Sequence, residues 1–118
     1  YGELYYEDLR NSDISVNIHY SGKSIDDFET GIFEAMACGC VVVSEKLPSQ
    51  TVRDLGMEDA IIEVESPKDL KEKLIYLKNN PESLKQYKTK IKDVINKNTW
   101  LERTKLIKAK FEEILSKR

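Results

Sequence analysis

Apolar residues in this chain follow two different spacings, and the change falls near residue 66. Before it they come in short runs: Ile14, Val16 and Ile18 alternate with Ser15 and Asn17, Val41, Val42 and Val43 are continuous, and Ala60, Ile61, Ile62 and Val64 form a third cluster. Short runs of this kind predict strands, assigned here to 14–18, 41–44 and 60–64. Between the first two strands, GIFEAMACG reads as a short helix that begins near Gly31 and is closed by Gly39, with Ile32, Phe33 and Met36 free to pack and Ala35 and Ala37 allowing close approach. An earlier helix is expected over 5–12, with Leu9 turned inward beside Tyr5 or Tyr6. A further one is expected over 50–55, capped by Ser49 and stopped by Gly56.

After residue 66 the spacing lengthens to three and four. Leu70, Leu74 and Leu77 form one stripe, Leu84, Tyr87, Ile91 and Val94 a second, and Trp100, Ile107, Phe111 and Ile114 a third. Each predicts an amphipathic helix whose apolar face is buried in the core, with Trp100 anchoring the last one. Ser66 followed by Pro67 marks the start of the first of these helices, because proline suits the first helical position. The strand, loop, helix, strand order predicts an α/β fold with a parallel sheet of about three strands followed by C-terminal helices.

In open parallel sheets, ligands bind where loops leave the carboxyl ends of the strands. The loop over 19–30 is such a loop, and it concentrates the local chemistry: His19 at the strand exit, Lys23 as its one basic residue, Asp26, Asp27 and Glu29 as carboxylates, then Thr30. Glu34 follows in the first turn of the helix. Carboxylates accept from hydroxyls, and the backbone N–H groups at Thr30, Gly31 and Ile32 suit an anion. A ligand bearing hydroxyls and phosphates together, such as a sugar nucleotide, matches that set. SGKS, over 21–24, lacks the glycine spacing of a phosphate-binding P-loop.

Composition narrows the function classes. With 40% hydrophobic and 34% charged residues in 118, the chain reads as a single soluble domain, and no apolar run reaches the ~20 residues of a membrane span. No basic leader precedes an apolar segment, so a cytoplasmic location is expected. The net charge of −2 hides a division: residues 1–66 carry 14 acidic and 4 basic side chains, and residues 67–118 carry 7 and 15. Solvated lysine faces on helices account for the basic half, and contact with the inner face of an anionic membrane is its sharper reading. Nucleic acid is not expected as a partner, because no aromatic residues are interleaved for base stacking. Cys38 and Cys40 read as small buried thiols, too close for a disulfide and too few for structural zinc.

FEAMACGCVVVSE resembles the donor-site helix and following strand of the GT-B glycosyltransferases, in particular the "group 1" retaining set, and DISVNIHY resembles the related spore-maturation-type branch. The resemblance implies a partial Rossmann-like sheet from the C-terminal donor-binding domain of a hexosyltransferase. It implies that Glu34 hydrogen-bonds the ribose of a nucleotide-diphosphate sugar, with Asp26, or Glu29 as its rival, near the transferred sugar. It also implies that the polar groups that end or follow the second strand, Ser44, Glu45 and Ser49, lie near the same mouth. The acceptor would be a sugar or a lipid-linked sugar, with no cofactor and no metal. NTWLERTKLI resembles the family's terminal segment, with Trp100 and Arg103 leading into the last helix. The loop departs from the family in reading DDFETG, with Gly31 as its one glycine.

Three strands are fewer than such a domain holds. The chain is therefore expected to be the later part of a donor domain, inactive alone, lacking its N-terminal domain, and able to form a homodimer through its bare sheet edge. The alternative is a non-catalytic nucleotide- or protein-binding module with the same fold.

Overall fold

The structure is a computed structural model that describes residues 2–18 and 31–117. In chain order the elements are α1 (Glu3–Arg10), β1 (Ile14–Asn17), α2 (Gly31–Ala37), β2 (Val41–Glu45), α3 (Ser49–Asp54), β3 (Ile61–Val64), α4 (Pro67–Asn79), α5 (Pro81–Lys97) and α6 (Trp100–Ser116). The fold is α/β. The three strands lie in the order β1-β2-β3, all parallel, with Ile14 beside Val41 and Val42 beside Ile61. This is the three-strand parallel sheet with C-terminal helices that the pattern predicts, and the partial Rossmann-like sheet that the resemblance implies.

The central strand holds the core together. Val41, Val42 and Val43 have no exposed surface because both faces of β2 are covered, which is why the run is continuous instead of alternating. Ile32, Ala35 and Met36 come to this core from α2, Leu77 from α4, and Ile91 and Val94 from α5. The helices α2 and α5 pack on each other and on β2. At the margin, β1 is only half-covered, and Val16 is 43% exposed. Alternation in sequence thus reports an edge strand.

Two glycines set how helices hand over to strands. Gly39 has φ +92° and Gly56 has φ +68°, and each follows a helix end in the same way. Cys40 N–H donates to the Ala35 carbonyl and Gly39 N–H to that of Met36; Met57 N–H donates to Val52 and Gly56 N–H to Arg53. This paired bonding is the Schellman turn, and it needs a left-handed residue at the glycine position. The residues brought together, Ala35 with Cys40 and Val52 with Met57, are all buried.

Several expected boundaries move. The first helix spans 3–10 instead of 5–12, and α3 starts at Ser49 with Pro48 before it and no side-chain cap. The entry to α3 is instead pinned by Leu47 N–H donating to Glu63 Oε2 at 2.8 Å and by Val52 N–H donating to the Pro48 carbonyl at 3.0 Å. Ser66 caps α4 as predicted, accepting from Asp69 N–H with Pro67 at the first helical position.

The last helix overturns its prediction. Trp100 is 89% exposed, and Ile107, Phe111 and Ile114 are exposed with it; α6 buries no residue. The stripe is real, but among the described residues no element lies against it. The helix starts because Thr99 caps it, accepting from Glu102 N–H, and it is tied to the body through Asn98. Asn98 Nδ2 donates to the Leu55 carbonyl at 3.0 Å, and Arg103 donates to Asn98 Oδ1 at 2.8 Å.

Candidate functional site

The α2 helix is the crossover from β1 to β2, so it runs back from the carboxyl ends of the strands and its first turn lies at that edge. Glu34 sits in this turn, half-buried. Near the start of α1, the Tyr5 hydroxyl donates to Glu34 Oε2 at 3.1 Å. Among the described residues, Tyr5 is the side chain that bonds this carboxylate, and it takes one oxygen. Tyr5 is itself held by edge-on contact with the Tyr6 ring, centroids 5.2 Å apart. Partial burial, then the hydrogen bond and charge of Glu34, push the Tyr5 phenol above its usual range, so it stays a donor through neutral pH.

Other expected contacts divide. Gly31 opens α2 half-buried, with open space where a side chain would project. Ile32 is 1% exposed and belongs to the core, so its backbone alone is left for a ligand. Ser44 was expected to face the mouth. Its side chain is instead sealed: Oγ accepts from Asn17 Nδ2 at 3.3 Å and donates to the Glu45 carbonyl at 2.8 Å. A hydroxyl at a central strand end is consumed by its neighbours unless the next strand leaves it open. His19, Lys23, Asp26, Asp27, Glu29 and Thr30 lie outside the described residues.

Along the same edge is a cleft of about 300 Å³ lined by Ile18, Glu45, Val64, Glu65, Ser66 and Leu70. Its lining is mostly apolar, with Glu45 and Glu65 as its two carboxylates. Glu63 points from β3 to the loop before α3, where its carboxylate is used by Leu47.

The cysteines are free thiols, and Cys40 is structural. Its Sγ donates to the Leu9 carbonyl at 3.0 Å, joining α1 to the base of β2. Burial, then the neighbouring Cys38, raise the thiol pKa against the opposing pull of Lys88. Among the described residues, no helix is long and apolar enough to cross a membrane.

Sequence reasoning missed Tyr5. A tyrosine one turn from Leu9 reads as packing, and the signal available was that a half-buried phenol needs a hydrogen-bond partner. A family model described as glycosyl transferase-like matches residues 1–109. No curated protein and no solved structure matches the chain.

Proposed function

Because the chain belongs to the glycosyl transferase-like family, we propose that its carboxyl-edge site binds the nucleotide-diphosphate sugar donor of a GT-B retaining glycosyltransferase. The observation that carries this reading is Glu34: a carboxylate in the opening turn of the helix that follows the ligand loop, half-buried, with one oxygen held by a phenol. In this reading Glu34 accepts hydrogen bonds from the ribose hydroxyls and thereby fixes the nucleotide. Fixing the nucleotide fixes the diphosphate and, through it, the sugar carbon at which exchange occurs. In the reaction the bond from that carbon to the diphosphate oxygen breaks, the acceptor oxygen takes its place, and the acceptor proton is lost. Asp26 or Glu29 is assigned to the sugar from the sequence.

Calorimetric titration with ADP, GDP, CDP and UDP tests the proposal. One of the four should bind, and Glu34→Ala should weaken it by about 10- to 100-fold, the worth of one or two hydrogen bonds to a charged group. Unchanged binding in that variant would remove the site. Transfer itself is tested by donor turnover in the whole protein that carries this chain, with Glu34→Ala as the control.

A further inference from the structure

We infer that Tyr5 is the positioning residue of the donor site: its phenol holds one oxygen of Glu34 so that the other is presented to the ribose. The inference rests on the ribose-binding role proposed for Glu34 and adds a residue from a different helix.

Four observations converge. The Tyr5 hydroxyl donates to Glu34 Oε2 across 29 residues of sequence, so the bond is tertiary and is made only once α1 and α2 are docked. A glutamate near a helix start otherwise chooses among several rotamers, and each choice aims its oxygens differently. Taking up Oε2 selects one of them. Tyr5 packs edge-on against the Tyr6 ring, and its helix is tied to the start of β2 by the Cys40 thiol donating to the Leu9 carbonyl. The phenol is also held in its neutral, donating form. A neutral donor steadies a carboxylate without cancelling its charge, whereas an arginine there would compete with the ligand for both oxygens.

The arrangement resembles a positioned catalytic group in one respect only: it separates the group that touches the ligand from the group that aims it. Tyr5 needs no contact with the nucleotide. Its effect should therefore appear in discrimination between ribose and deoxyribose, and should vanish when Glu34 is absent.

The test is a double-mutant cycle on the full chain, with the ribonucleoside diphosphate that binds best and its 2′-deoxy counterpart as probes. Tyr5→Phe keeps the ring and removes the donor, and circular dichroism melting should show a folded protein. Its expected result is about 3- to 10-fold weaker binding of the ribonucleotide, with a smaller loss for the deoxynucleotide, which keeps only its 3′-hydroxyl for Glu34. In a Glu34→Ala background, Tyr5→Phe should add nothing, because the two residues act as one unit. Equal losses for both probes, or full additivity of the two changes, would overturn the positioning role. If Glu34→Ala weakens binding and Tyr5→Phe does not, the donor site stands and this inference falls. If neither change alters binding, or none of the nucleotides binds, the donor-site reading fails and the inference fails with it.

Discussion

Two helices of 17 residues each, α5 and α6, start from nearly the same kind of sequence and end in opposite environments. Both carry apolar residues at three- and four-residue spacing, and both begin after a recognisable signal, Pro81 in one and Thr99 in the other. The first buries Ile91 and Val94 against α2 and β2; the second buries nothing. Periodicity therefore reports that a helix has a face, while the identity of what covers the face is written elsewhere. For α5 the cover is within the described residues, in α2 and β2.

The largest effect that separates the two helices should come from truncating their apolar side chains. Ile91→Ala should cost about 2–5 kcal/mol, because it leaves a cavity in a filled core, while Phe111→Ala should stay within about 0.5 kcal/mol. Urea denaturation of the two variants measures both. A large loss from Phe111→Ala would mean that α6 packs in solution on something the isolated fold does not show. Next in size is the tie between body and helix. Asn98→Ala removes the donor to the Leu55 carbonyl and the acceptor for Arg103, and should cost about 1–2 kcal/mol. Hydrogen exchange sharpens the contrast without mutation. A 17-residue helix with no packed face is marginal in water, so α6 amides should exchange well before those of α5.

The smallest effect is electrostatic. Among the described residues, the groups with displaced titration, Tyr5 and Cys40, both lie in the body. Each has a folded pKa above its ordinary value, so each contributes stability that is complete below that value and is lost as pH rises through the folded one. Stability should begin to fall as pH rises past the ordinary thiol range and again past the ordinary phenol range, where these groups ionise in the unfolded chain before they do in the folded one. Tyr5→Phe should flatten only the second step, which alkaline denaturation followed by circular dichroism would show. The α6 ion pairs, such as Lys110 with Glu113 at 3.1 Å, are exposed and should add only tenths of a kcal/mol, lost at high salt.

What could be read in advance follows the same division. The β2 strand, the end of α2 and the start of α4 were legible because a three-valine run, a helix stop at Gly39 and a proline start at Pro67 are local signals with local causes. Gly39 and Gly56 close helices in the way their positions suggest. The burial of Ser44 was hidden, since its partners Asn17 and the Glu45 carbonyl meet it only when β1 and β2 pair. The position of Glu34 at the helix opening was legible from spacing alone. Its bond to Tyr5 depends on how α1 docks, which no residue near Glu34 encodes.

The length of α6 has a mechanical consequence. The molecule measures 56 Å along its longest axis and 31 and 30 Å across, and a helix of 17 residues spans about 25 Å. Among the described residues, Asn98 makes the side-chain bonds that tie that arm to the body. A turn of about 10° at Asn98 would sweep the far end by about 4 Å, given that span. Any such turn acts first on the bond from Asn98 to the Leu55 carbonyl.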